Sequence, residues 1–124
     1  MNIMFKDNGK AIYLQIADRI CDDILSGYMK PGERIPSVRE YAASVEVNPN
    51  TVMRTYEFLS QKGIIFNKRG IGYFLSDDAA HIVKEMKSKE IFEDEINSLF
   101  SELRLLGISP EELMERYRQY LKGN

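Results

Sequence analysis

The sequence predicts a mainly α-helical chain with one small β-hairpin, arranged as a winged helix-turn-helix followed by a short helical region. Three observations carry that prediction. Two helix-start signals, Ser37-x-x-Glu40 and Asn48-Pro49, stand a short turn apart. The segment IIFNKRGIGYFL places two β-favouring runs around a Lys68-Arg69-Gly70 turn. Further on, Phe92, Ile96, Leu99, Leu103 and Leu106 alternate in the four-three spacing of a seam that packs against another helix.

The first helix is marked by Tyr13, Ile16, Ala17, Ile20 and Ile24, whose spacing returns to one face, with Gly27 just beyond as a left-handed stop. Lys30-Pro31-Gly32 reads as a turn. Ser37 and Glu40 then have the spacing of a capping box, in which each side chain satisfies the other residue's backbone donor, and the short helix they open is expected to run to about Ser44. Asn48 caps the next helix with its side-chain oxygen, and Pro49 takes the first helical position, where no donor is required. Val52, Tyr56 and Leu59 share one face of this helix, Asn50, Arg54, Glu57 and Gln61 fall opposite, and Gly63 ends it. Phe58 lies off the apolar stripe and is expected to pack against the hairpin that follows.

Beyond Ser76-Asp77-Asp78 the pattern is purely helical. A short helix is expected around Ile82 to Met86, then the seam helix, which Gly107 terminates. Ser109 and Glu112 form a second capping box with Pro110 at the first helical position, and Leu113, Tyr117 and Leu121 extend an apolar stripe. Residues 1–76 are thus expected to form the winged helix-turn-helix domain and residues 77–124 a helical dimerisation region. The alternative for the seam is that it folds back as core. Dimerisation is preferred because a helix hairpin of this size buries too little surface by itself.

Composition narrows the chemistry. With 124 residues, 44% hydrophobic and 29% charged, the chain fits one domain with an appendage. The net charge of −2 conceals an asymmetry: residues 1–76 carry 10 Lys+Arg against 8 Asp+Glu, or +2, and residues 77–124 carry 7 against 11, or −4. Cys21, the single cysteine, has no partner for an intramolecular disulfide and suits a small core position; with no signal-peptide pattern, the expected compartment is the cytoplasm. Apolar runs are too short to span a membrane. One cysteine and one histidine, His81, which is expected to be exposed after the hairpin, supply no zinc ligand set. No nucleophile-base pair and no phosphate-cradling loop is present, so neither an enzyme nor a cofactor is expected.

A helix tip bearing Asn48, Asn50 and Thr51 suits phosphate and base contacts, because free backbone N–H groups and the positive end of the helix dipole point the same way. Arg54 adds a planar fork able to grip guanine bidentately. Lys68 and Arg69 put positive charge on a glycine-flanked hairpin tip, as a wing needs to reach a phosphate. Ser37 serves chiefly as a cap, with its hydroxyl also placed to touch a phosphate.

The ordered blocks Tyr13-Leu14-Gln15-Ile16, Gly27, Pro31-Gly32, Pro36-Ser37-Val38-Arg39-Glu40, Val47-Asn48-Pro49-Asn50-Thr51-Val52, Tyr56-x-x-Leu59-x-x-x-Gly63 and Arg69-Gly70-x-Gly72-x-Phe74 resemble the GntR family of bacterial transcriptional regulators, in particular its YtrA-like subfamily. The resemblance implies a homodimer that binds a short palindromic operator in double-stranded DNA, usually as a repressor. It implies that Arg39 meets the DNA backbone, that Asn48, Asn50 and Thr51 stand at the recognition-helix tip, and that Arg69-Gly70 form the wing tip. Many relatives carry arginine where this chain has Pro49 and Met53, so Arg54 becomes the candidate base reader; Tyr41 stands where leucine is usual. Large effector domains of other members have no counterpart in this tail, so a small-molecule effector would have to sit at a domain or subunit interface. The alternative function is a winged-helix protein-interaction module without DNA binding, for which the cationic tip would be unnecessary.

Overall fold

The computed structural model describes residues 9–123. Its elements are α1 (Ile12–Leu25), α2 (Val38–Val45), α3 (Pro49–Gln61), β1 (Ile65–Lys68), β2 (Gly72–Leu75), α4 (Ala79–Glu90), a π-helical turn (Ile91–Glu95), α5 (Ile96–Leu106) and α6 (Pro110–Gly123).

Helix α1 buries Ile16, Ala17, Ile20, Cys21 and Ile24. Its C-terminal end closes through Gly27, whose φ of +82° is readily reached only without a Cβ. The expected capping box opens α2: Glu40 N–H donates to Ser37 Oγ at 3.1 Å and Ser37 N–H donates to Glu40 Oε1 at 3.0 Å. That helix ends one residue past the expected Ser44, with Glu46 in the left-handed region. Asn48 caps α3 by accepting the Asn50 N–H at 2.8 Å, with Pro49 at the first position.

Two side-chain hydrogen bonds fix α3 in place. The buried Thr55 hydroxyl donates to Tyr13 O at 2.7 Å, clamping α3 to α1, and Tyr56 Oη donates to Pro36 O at 2.7 Å, holding the chain just before α2. The Tyr56 ring meets Tyr73 of β2 edge-on, with centroids 5.0 Å apart, and Tyr41 of α2 at 6.3 Å. Around this trio the core gathers Ile35, Val52, Leu59, Ile64, Ile65 and Leu75.

The hairpin pairs Ile65 with Leu75 and Lys68 with Gly72 in antiparallel register. Ile71 N–H donates to Lys68 O at 2.9 Å across the turn. The chain before α2 adds a short third ribbon: Ile35 N–H donates to Tyr73 O, and Leu75 N–H donates to Glu33 O, both at 2.9 Å. The sequence predicts only a turn there, because three extended residues are too few for alternation to register.

The compact unit does not stop at the expected boundary of 76/77. It runs to Met86, because Ala79 and Val83 of α4 are buried in its core, and a second unit spans Lys87–Asn124. The short helix expected at Ile82 to Met86 thus lies within the longer α4. His81 lies within that helix, exposed, with Nε2 3.4 Å from Glu85 Oε1. In the π-helical turn Ile96 N–H reaches back five residues to Ile91 O, and the Asn97 side-chain amide donates to Glu93 O at 3.1 Å. Gly107, at φ +69°, ends α5, and Ser109 Oγ accepts the Glu112 N–H at 3.2 Å at the start of α6.

Burial pushes the phenols of Tyr56 and Tyr41 above their ordinary value; for Tyr41 a nearby Arg19 opposes the shift and Asp23 adds to it. A raised phenol favours the neutral, folded form, so this stabilisation is complete below about pH 10, the ordinary tyrosine value, and is lost as pH rises beyond it. Urea midpoints should therefore fall above pH 10 more steeply for the wild-type chain than for Tyr56→Phe, and equal slopes would refute the assignment. The Tyr41 hydroxyl, buried and without a hydrogen-bond partner, contributes to the same sensitivity.

Candidate nucleic-acid interface

Helix α3 keeps the side opposite its buried residues open: Asn48, Asn50, Met53, Arg54, Glu57 and Gln61 are exposed, and Thr51 is half-buried. On one flank of that face lies a concave groove of about 510 Å³ between the start of α2, α3 and the hairpin tip. Arg34, Ser37, Arg39, Met53 and Ile71 line it together with Gly70. The sequence-predicted residues Ser37, Arg39 and Gly70 are therefore brought together with α3.

Each candidate's local chemistry follows from its position. Ser37 Oγ already accepts from Glu40, which leaves its own hydroxyl hydrogen to donate. The Glu40 carboxyl is held below its ordinary value, first by the Ser37 backbone hydrogen bond, then by the Ser37 side chain, against a small opposing effect of burial and with a further contribution from Arg34. It thus stays anionic and keeps the cap formed. Arg39, Arg69 and Gly70 are exposed, and Gly70 adopts φ +78° at the hairpin tip. Lys68 Nζ sits 4.4 Å from the Phe74 ring centroid, over a stacked Phe66–Phe74 pair. The ring quadrupoles hold the ammonium in place while its donors remain accessible.

Arg54 is placed differently from the others. Its guanidinium lies over the Tyr13 ring, 4.2 Å from the centroid, on the α1 flank of α3. Tyr13 accordingly is a half-buried platform for a cation in addition to its place on the α1 stripe. Stacking covers one face of the fork and leaves its N–H edge available. Phe58 is half-buried and packs against the core cluster, with Lys62 Nζ 5.6 Å from its ring centroid.

Arg34 was not among the residues predicted from sequence. A Cβ on Gly72 would stand only 3.0 Å from Arg34 Nε, so the guanidinium rests against backbone that glycine alone leaves open, at φ +139°. The available signal was modest: Arg34 precedes the buried Ile35, and adjacent residues of extended chain point to opposite sides.

In the second unit, Phe92, Leu99 and Leu106 of the seam are 65%, 41% and 74% exposed. Ile96 and Leu103 are half-buried. Leu103 helps line a cleft of about 490 Å³ with Phe100, Ile108, Leu113 and Met114, where α5 and α6 meet. Among the described residues no cluster of His, Cys, Asp or Glu could hold a metal ion, and no helix is long and apolar enough to cross a membrane.

An open, capped helix beside a cationic groove and a basic hairpin tip defines a DNA-binding winged helix-turn-helix. The profile of bacterial regulatory proteins of the gntR family matches residues 12–75, and the chain belongs to the GntR family of bacterial transcriptional regulators. It is 37% identical over 116 residues to the HTH-type transcriptional regulator YhcF of Bacillus subtilis, covering 94% of each chain. To the HTH-type transcriptional repressor YtrA of the same organism it is 38% identical over 104 residues, covering 84% of this chain and 79% of YtrA. A crystal structure of a GntR-family regulator from Bacteroides thetaiotaomicron superposes with a TM-score of 0.80 at 48% identity, covering 89% of this chain and 96% of that one. The protein is a transcriptional regulator with a DNA-binding domain and not an enzyme.

Proposed function

We propose that the protein is a cytoplasmic, homodimeric, sequence-specific repressor of transcription. Each protomer inserts α3 into a major groove of a palindromic operator, with half-sites about one helical turn, roughly 34 Å, apart. The observation that carries this reading is the conjunction of an uncovered α3 face with arginines at the start of α2 and a lysine-arginine hairpin tip. Its support as a repressor comes from the similarity to YtrA. The exposed apolar seam from Phe92 to Leu106 supports the dimerisation region, which the burial of Ala79 and Val83 in the first unit narrows from 77–124 to residues 87–124.

Arg39, Lys68 and Arg69 contact phosphates, with Ser37 donating to one. Asn48, Asn50 and Thr51 position the helix tip, and Arg54 reads a base. The test compares binding to the DNA upstream of the protein's own gene with binding to random duplex across a salt series. Arg39→Ala and Lys68→Ala are each expected to weaken binding to all sequences and to lower the salt slope by about 1. Arg54→Ala should erode the preference for the specific duplex by about 1–3 kcal/mol while sparing random DNA. Equal affinity of the wild-type chain for both duplexes would overturn specific recognition, and binding to neither would favour a protein-interaction role.

A further inference from the structure

The polar, open face of α3 carries one large apolar exception. Met53 is 39% exposed there, among Asn50, Arg54, Glu57 and Gln61. It lies in the groove that Arg34 and Arg39 also line, and Ile71, 59% exposed at the hairpin tip, lines the same groove. An apolar side chain in this position lacks a partner within the protein for much of its surface. The cations beside it match a polyanion, which identifies DNA as the occupant. Within the major groove the C5-methyl of thymine is the one apolar group that projects from a base edge; cytosine C5–H and purine C8–H offer far less apolar surface, and the N and O atoms of the edge are hydrogen-bond donors or acceptors.

We propose that Met53 is a specificity-determining residue that packs its thioether chain on a thymine methyl in each half-site, so the operator carries an A·T pair there. The inference rests on the DNA-binding reading above and adds to it the identity of a base. Thioether and methyl exclude water from each other, and burial of one methyl corresponds to roughly fourfold in affinity per half-site. Two symmetric half-sites make that on the order of fifteenfold per operator when the effects add.

The test begins with the full-length protein selecting from a randomised duplex library. The enriched duplex is then synthesised with each thymine replaced by deoxyuridine in turn, at symmetric positions, which removes the methyl and leaves every hydrogen-bonding group unchanged. One thymine pair should show the order-fifteenfold loss. Met53→Ala should bind the thymine and deoxyuridine duplexes equally, whereas Met53→Leu, which keeps an apolar chain, should still prefer thymine. Indifference of the wild-type protein to every replacement, or full methyl discrimination retained by Met53→Ala, would overturn the inference and leave the repressor reading standing. A library yielding no enriched sequence would remove both.

Discussion

Replacing Leu99 and Leu106 together with glutamate should leave each protomer folded while converting the proposed dimer to a monomer. The two leucines are 41% and 74% exposed on α5, so neither supplies much of the protomer's own core. Glutamate is a strong helix former, and exposed substitutions away from special features usually cost within about 0.5 kcal/mol. In the proposed dimer the same positions would lie within a helix seam, where a buried, unpaired carboxylate is strongly unfavourable. The functional effect follows from linkage of two half-sites. Losing the partner forfeits the gain of bivalent binding, on the order of 10²–10⁴ in affinity for a palindrome. Sedimentation equilibrium and operator titration check the two halves separately, and a double variant that remains dimeric with unchanged helicity would place the interface elsewhere.

Tyr56→Ala is expected to lose about 3–5 kcal/mol of stability, the cost of removing a large aromatic from a packed interior. That is a substantial share of the roughly 5–15 kcal/mol typical of a domain. Tyr56 is fully buried, packs edge-on against Tyr73, and donates to Pro36 O, so it ties α3 both to β2 and to the chain before α2. Tyr56→Phe keeps the ring and loses only the hydrogen bond, about 1 kcal/mol. Urea unfolding of the pair separates packing from polarity. A loss below about 1 kcal/mol for the alanine variant would contradict the central role assigned to this ring.

The features legible in the sequence are those set by neighbours along the chain. The Ser37-Glu40 and Asn48-Pro49 starts, the glycine stops at Gly27, Gly63 and Gly107, and the hairpin all depend on interactions within a few residues, and all appear in the structure. What was not legible depends on how elements cross. The α1–α3 packing decides that Arg54 stacks on Tyr13, and spacing within either helix does not contain it. Arg34 emerges as a groove residue only when the ribbon before α2 is paired with β2. The length of α4 is not legible because only its first turns carry apolar residues; Lys87 to Glu90 continue the helix without a buried face to announce it.

The pairing of Glu33 and Ile35 with β2 also bears on the thermodynamics of DNA capture. A hairpin projecting alone would have to be immobilised at the moment of contact, and association would be weakened by the freedom surrendered. Here the return strand is already braced along its outer edge, which leaves only the few residues at the tip to adjust. The contacts proposed for Arg69 should therefore be felt mainly in how slowly the complex dissociates, because little rearrangement stands between encounter and the seated state.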